Sequence, residues 1–130
     1  MSELTITTPG NTGWIAYSGA DPAAAKKFYS DVVGWTIAEI PMQDGSSHSA
    51  IMVGDGPIGG FMPNPAENAS WMVFVTVEDV DACVAKVESA GGRVLSPPTD
   101  MPGVGRMSTI ADPNGGAISL ITYESMRKTS

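Results

Sequence analysis

The stretches Trp14 to Met62 and Met72 to Leu120 present the same order of strand, helix and turn signals, displaced by 58 positions. Subtracting that displacement aligns Asp79 with Asp21, Ala82 with Ala24, Gly92 with Gly34, and Ile118-Ser119-Leu120 with Gly60-Phe61-Met62. Few identities survive, so the repeat rests on the order of its signals. A chain built this way is expected to fold as two similar modules facing each other around a shared site.

Each module reads as βαβββ. In the first, Trp14-Ile15-Ala16-Tyr17-Ser18 is a short strand, and Asp21-Pro22 supplies a capping carboxylate followed by proline at the first helical position. Ala24, Ala25, Phe28, Tyr29 and Val32 then recur at three- and four-residue spacing as one apolar stripe, and Gly34 stops the helix. Strands are expected at Trp35 to Ile40, Ser47 to Val53 and Pro57 to Phe61, divided by Asp44-Gly45 and Gly54-Asp55-Gly56. In the second module the β-rich run Trp71 to Val77 ends at Glu78-Asp79. Asp79 caps a helix with the stripe Val80, Cys83, Val84, Val87 and Ala90, closed by Gly91-Gly92. Strands follow at Arg93 to Ser96, Arg106 to Ala111 and Ala117 to Thr122, separated by the loop Pro97 to Gly105 and the turn Asp112-Pro113-Asn114-Gly115-Gly116. The expected organisation is one α+β domain over residues 1–130, with module one at about 12–62, a linker at about 63–70, module two at about 71–123 and a loose tail from Glu124.

Composition removes several classes of function. The 130 residues are enough for a core that buries roughly two-thirds of the unfolded surface. Charged residues at 16% and hydrophobic residues at 42% oppose disorder, and no apolar run reaches the ~18 residues that span a bilayer. The first ten residues lack a basic start and an apolar block, so a cytoplasmic protein is expected, with no membrane partner. One cysteine, Cys83, permits neither an internal disulfide nor a thiolate cluster and reads as a small buried hydrophobe. A net charge of -7 opposes contact with a phosphate backbone, so nucleic acid is not an expected ligand.

Several pieces of this chain, taken in order, resemble the vicinal oxygen chelate superfamily, which includes glyoxalases, bleomycin-resistance proteins and extradiol dioxygenases. They are the strand leading into Asp21-Pro22 and Phe28-Tyr29 before Gly34-Trp35, Val77 to Asp81 before a helix closed by Gly91-Gly92, and Asp112-Pro113-Asn114-Gly115 before a last strand. The segment Pro97 to Arg106 is similar to one found in a glyoxalase-like bacterial subgroup. The resemblance implies an open, cup-shaped mixed sheet with helices on its outer face, and modules that pair within one chain or between the chains of a homodimer. It does not fix an activity, because one fold carries many sites.

Metal-dependent members place His, Gln or Glu at four strand positions, two per module. The resemblance carries those positions onto Trp14 and Met72 in the opening strands, Ser119 in the closing strand, and Phe61 by the 58-residue displacement. None suits zinc, magnesium or manganese, and a slip of one residue in any strand brings no better donor. No metal and no other cofactor is therefore expected, and ordinary glyoxalase or dioxygenase chemistry is disfavoured.

Period-two alternation gives the cup face Trp14, Ala16 and Ser18, then Gly59 and Phe61, then Met72, Phe74 and Thr76, then Ala117, Ser119 and Ile121. The opposite face, with Ile15, Tyr17, Val73, Val75, Val77, Ile118 and Leu120, suits packing under the helices. Aromatics, methionines and hydroxyls together suit a small apolar or aromatic guest, for which Trp14, Phe61, Met72, Phe74 and Ser119 are the candidate ligand-binding residues. A collapsed, filled core is the alternative. His48, the sole histidine, and Arg106, its counterpart by displacement, are the polar candidates: His48 as a base or hydrogen-bonding group, Arg106 as a carboxylate holder. An exposed histidine and a surface ion pair are the plainer readings of the two. Gly54 to Gly59 fits GxGxxG in form but leads into a strand, so it offers no helix N-terminus to a phosphate. Glu78, Asp79 and Asp81 are read as complementing a helix start.

Three functions remain open on these grounds. One is a metal-free binding protein that sequesters a small organic molecule such as an antibiotic or metabolite. The second is a metal-independent lyase- or isomerase-type enzyme using His48 or Arg106, and the third a structural or regulatory dimer with a filled cup.

Overall fold

A computed structural model of the chain describes residues 5–42, 45, 47–54, 56–62, 66–101 and 104–126. Among the described residues, eight strands and two helices form two βαβββ modules in an α+β fold: β1 (Thr12–Ser18), α1 (Pro22–Val32), β2 (Thr36–Pro41), β3 (Ser47–Val53), β4 (Gly56–Phe61), β5 (Ser70–Thr76), α2 (Val80–Val84), β6 (Arg93–Met101), β7 (Gly105–Ala111) and β8 (Ala117–Tyr123), followed by a 3-10 turn at Glu124–Met126. No described helix is long and apolar enough to cross a membrane. The chain divides into two compact units, Trp14–Trp71 and a second made of Met1–Gly13 with Met72–Ser130.

In the first unit the strand order is β2-β3-β4-β1. β1 and β4 run parallel, with Ile15 opposite Gly59, Ala16 opposite Gly60 and Tyr17 opposite Phe61, whereas β2, β3 and β4 pair antiparallel. α1 begins where expected, because Asp21 Oδ1 accepts the Ala24 amide at 3.1 Å and Pro22 needs no amide partner. It ends before Gly34, which holds φ at 85°. Only part of the expected stripe turns inward. Ala25 is buried and Tyr29 packs on the core, but Phe28 and Val32 are 55% and 65% exposed. The physical reason is angular: residues four apart stack along one line of the helix, and the line through Phe28 and Val32 lies beside the contact that Ala25 and Tyr29 make.

Ile51, Phe61 and Ala25 form the buried centre of this unit, with Ile15, Tyr17, Tyr29, Trp35, Ile37, Ile58 and Trp71 packed around it. The aromatic members meet edge to face, Tyr17 and Trp71 at 5.2 Å and Tyr29 and Trp71 at 5.2 Å between ring centroids. Trp71 Nε1 donates to the Tyr29 hydroxyl at 3.1 Å, so burying these two rings leaves that polar pair matched.

In the second unit the order is β5-β8-β7-β6, with β5 and β8 parallel and the rest antiparallel. Asp79 Oδ1 accepts the Ala82 amide at 3.2 Å and caps α2. The helix is shorter than its periodicity predicts. Beyond Val84 the amides reach back three residues, Lys86 to Cys83 and Val87 to Val84, and the chain turns to Gly92 with Val87 still buried. β-branched Val84 and Val87 with Ser89 make this stretch a poor α-helix former, while the tighter turns still bury Val87.

β6 is longer than expected and takes in most of the expected loop, ending at Met101. Two register shifts bracket Ser96 and run on to Thr99, which accommodates Pro97 and Pro98 where a regular ladder needs their missing amides. The turn Asp112 to Gly116 forms as read: Asp112 Oδ1 accepts the amides of Asn114 at 2.8 Å and Gly116 at 2.9 Å. Asp44, Asp55, the linker residues Pro63 to Pro65, Pro102, Gly103 and the tail beyond Met126 lie outside the described residues.

The amino-terminal segment belongs to the second unit. Thr76 Oγ1 donates to the Ile6 carbonyl, the Gly10 amide donates to the Thr76 carbonyl at 2.7 Å, and the buried Tyr123 hydroxyl donates to the Gly13 carbonyl at 2.6 Å. Burial pushes the Tyr123 phenol up to about 12. Its folded value lies above its unfolded value of 10.0, so its contribution to stability is complete below pH 10 and disappears as pH rises toward 12. A spectrophotometric tyrosine titration is expected to show an ionisation near pH 12 that Tyr123→Phe abolishes.

Candidate functional site

The parallel pairs set the true equivalence of the two modules. Ala16 faces Gly60 and Tyr17 faces Phe61, while Phe74 faces Ser119 and Val75 faces Leu120. Since Ala16 and Tyr17 lie 58 residues before Phe74 and Val75, the counterpart of Ser119 is Gly60, and Phe61 corresponds to Leu120. The displacement has grown by one residue between the helix stop and the closing hairpin. Phe61 therefore shares a face with Tyr17, the side on which α1 packs, and is only 2% exposed. It is a core residue beneath α1 and lies on the opposite face from Trp14.

The other face of the first unit carries Trp14 and Ala16 of β1, Gly60 of β4, His48 and Ala50 of β3, and Ala38 and Ile40 of β2. The His48 ring stacks on Trp14, with centroids 6.1 Å apart and planes 23° from parallel. Its Nε2-Cε1 edge lies over Gly60, where a β-carbon would come within 2.6 Å of Nε2. Ala16, Ala50 and Gly60 are buried, and none of them stands above the sheet enough to separate the two rings. His48 is half-buried, not the exposed strand-start residue of the plainer reading. Burial holds its imidazole below the ordinary value of 6.5, which Glu39 opposes. Glu39 itself is engaged on the α1 side, where Ser49 Oγ lies 2.7 Å from Oε2 and Lys26 Nζ 3.4 Å away, and the Ser49 hydroxyl keeps its carboxyl below the usual range.

A base whose folded pKa is depressed is neutral in both states at high pH. As pH falls through 6.5 the unfolded chain takes up the proton first, so stability declines there and levels off below the folded value. An NMR titration of the sole imidazole is expected to give a midpoint below 6.5, with a parallel change in Trp14 emission.

In the second unit, Met72, Phe74 and Thr76 of β5 share a face with Ser119 and Ile121 of β8 and with Met107 and Thr109 of β7. Met72 and Phe74 are half-buried. Ser119 is 1% exposed, and its hydroxyl lies 2.7 Å from that of Thr109, so each satisfies the other on an otherwise apolar surface. By register, Met107 and not Arg106 answers to His48. Arg106 lies on the α2 side, its Nε and Nη2 on the Asp81 carboxylate at 2.8 and 3.1 Å and its Nη1 on Asp100 at 3.1 Å. Two carboxylates hold it more firmly cationic than usual and occupy the fork that a ligand carboxylate would need. Sequence reasoning did not place Gly60, Met107 and Thr109 on these faces; the signal for the extra residue was Pro97-Pro98, which has no equivalent in β2 and marks the irregular strand.

The resemblance assigns ligand positions to Trp14, Phe61, Met72 and Ser119, and register replaces Phe61 with Gly60 as the counterpart of Ser119. An indole, no side chain, a thioether and a neutral hydroxyl do not fit a hard or borderline divalent cation. Among the described residues no three His, Cys, Asp or Glu side chains come together as ligands. The grooves of the second unit lie elsewhere. One, of about 270 Å³, is lined by Cys83, Val87, Ala90, Ile110 and Pro113, and a second, of about 340 Å³, lies against Arg93 and the turn from Asp112 to Gly115. Neither includes a candidate ligand-binding residue.

The model of the Glyoxalase/Bleomycin resistance protein/Dioxygenase superfamily matches residues 12–120. The Mycobacterium tuberculosis protein named "Putative glyoxylase CFP32" is 34% identical over 118 residues, covering 89% of this chain and 45% of that protein. "Anthracycline biosynthesis protein DnrV" of Streptomyces peucetius is 31% identical over 134 residues, covering 90% of this chain and 48% of its own length. The chain thus spans about half the length of the curated relatives it matches. Among solved structures, a Streptomyces coelicolor methylmalonyl-CoA epimerase variant in complex with 2-nitronate-propionyl-CoA superposes with a TM-score of 0.61 at 18% identity, covering 94% of this chain and 100% of that one, a likeness of fold.

Proposed function

Because the chain belongs to the glyoxalase/bleomycin resistance protein/dioxygenase superfamily, we propose that each unit binds a small apolar or aromatic organic molecule on its own sheet face, the one carrying Trp14 and the one carrying Met72, without the divalent ion of metal-dependent members. The observation that carries this reading is the chemistry of the four ligand positions. Trp14, Gly60, Met72 and Ser119 cannot coordinate the ion, but their neighbours His48, Phe74, Met107 and Thr109 supply ring area, adaptable thioether and a few neutral polar groups. Sequestration of an antibiotic or metabolite is one use of such a surface.

Metal-independent catalysis is the second reading, and His48 favours it: a half-buried imidazole with a depressed pKa is neutral at pH 7 and able to accept a proton. Arg106 has no part in that alternative because its guanidinium is already committed to Asp81 and Asp100.

A thermal-shift screen of aromatic compounds, with Mn, Ni, Zn and Fe salts in parallel, tests the reading. A ligand present at a hundred times its Kd adds about 2.7 kcal/mol of stability, enough to move Tm by several degrees. The expected result is a shift with aromatic compounds and none with stoichiometric metal; stoichiometric stabilisation by any one of the ions contradicts it. Turnover of a bound compound that disappears in His48→Ala would establish the second reading instead.

A further inference from the structure

The first unit places its sole imidazole flat against an indole above a strip of buried Ala16, Ala50 and Gly60, and among the described residues that imidazole has no hydrogen-bond partner. Among those residues no buried side-chain nitrogen or oxygen goes unmatched, so the unpartnered ring of His48 keeps polar atoms within reach of solvent or ligand. The strand pairs set small residues where bulky ones would lift the ring away: Gly60 lies directly under it, and a β-carbon there would meet Nε2 at 2.6 Å and the Ser49 carbonyl at 2.9 Å. Ile40, opposite His48 on β2, and Trp14 bound the strip with apolar surface.

We infer that Trp14 and His48 form a recognition platform for a flat aromatic molecule bearing a hydroxyl, the phenol class, with His48 as the group that distinguishes the hydroxylated ring from the bare one. The inference deepens the small-molecule reading and rests on it. An aromatic ring is called for because the platform is itself two stacked rings over a level floor. A hydroxyl is called for because it both donates and accepts, and so matches a neutral imidazole in either tautomer, whereas a carbonyl matches only the ring nitrogen that carries hydrogen. A carboxylate is disfavoured: Glu39 is the charged group that acts on His48, and Lys26, the cation beside it, is already paired with Glu39 on the α1 side.

The test compares 2-naphthol, naphthalene and 2-naphthoate by calorimetry and by the NMR signal of the single imidazole. 2-Naphthol is expected to bind about five- to tenfold more tightly than naphthalene, the worth of one neutral hydrogen bond, and to shift the imidazole signal and its titration midpoint, downward where the hydroxyl donates to the ring nitrogen. 2-Naphthoate is expected to bind weakest. His48→Phe retains a ring on Trp14 and should bind 2-naphthol and naphthalene equally, and Gly60→Ala, which pushes the imidazole off its seat, should do the same. Equal affinity for 2-naphthol and naphthalene in the unaltered protein, a comparison that depends on no variant's folding, overturns the inference while leaving the small-molecule reading intact. A preference for 2-naphthol that survives in folded His48→Phe also overturns it. Failure of all three compounds to bind removes the reading on which it stands.

Discussion

Phe61→Ala is expected to lower the stability of the chain by about 3–5 kcal/mol, the usual loss when a large buried aromatic is truncated and its surroundings close up only in part. Phe61 is 2% exposed and sits with Ile51 and Ala25 at the centre of the first unit, its ring 5.5 Å from Tyr17 and 6.0 Å from Trp71. Truncation removes those ring contacts and leaves a void between α1 and the sheet, and Gly59, two residues earlier on the same strand, brings no side chain to fill it. Urea unfolding measures the loss, as a fall in the midpoint at unchanged slope. A loss below about 1 kcal/mol would put the Phe61 ring at a ligand-accessible surface and would contradict the register given above.

Thr122→Val is expected to cost about 2–3 kcal/mol although it barely changes volume, because it strands a buried backbone amide and a part-buried carbonyl. The Thr122 hydroxyl accepts the Val80 amide at 3.1 Å and donates to the Val77 carbonyl at 2.8 Å. Thr122 is 4% exposed and Val80 1%, so water cannot replace the lost partner without opening the start of α2. Thr122→Ser keeps the hydroxyl and should retain most of the stability. Amide hydrogen exchange provides the local check: protection of Val80 should collapse in Thr122→Val and persist in Thr122→Ser. A valine variant as stable as the parent would show that the hydroxyl does not fasten α2 to β8.

The fold was legible wherever short-range chemistry decides structure. Asp21-Pro22 and Asp79 cap their helices, Gly34 takes the left-handed turn that ends one, and Asp112 closes the last hairpin through two amides, all as their residue types require. Strand β3 begins and ends at the expected residues, Ser47 and Val53. What escaped depended on register, which is a long-range property. A single extra residue in β6 reverses the face of everything after it, since side chains alternate with period two. That one step moved Phe61 from the ligand surface into the core and set Met107 in the place assigned to Arg106. α2 shows the complementary failure: its apolar periodicity was genuine, and Val80 and Val87 are both buried, but periodicity cannot separate an α-helix from a succession of tighter turns.

The residue types of the candidate site could be read from the sequence, whereas its register could not. Trp14 shares a strand face with Gly60, and Met72, Phe74 and Ser119 share one with Met107, and no one-residue slip along these strands brings a carboxylate or histidine into a position the resemblance assigns to a ligand, so that expectation does not depend on the choice between Phe61 and Gly60. His48 could not be placed from sequence, because Ser46-Ser47-His48-Ser49 reads as a polar strand start and its stacking depends on Trp14, 34 residues earlier, and on the absence of a side chain at Gly60.

The central claim is that each unit holds a small aromatic molecule on its own sheet face, the one bearing Trp14 and the one bearing Met72, without a metal. Its most direct test is chemical-shift mapping on uniformly labelled protein, titrated with 2-naphthol in the presence of a chelator. The account predicts saturable shifts at the Trp14 indole and at the Met72 and Met107 methyls, with the Val87 and Cys83 signals of the α2-side groove unmoved. Shifts confined to Val87 and Cys83, or binding that appears only when stoichiometric Mn or Zn replaces the chelator, would contradict it.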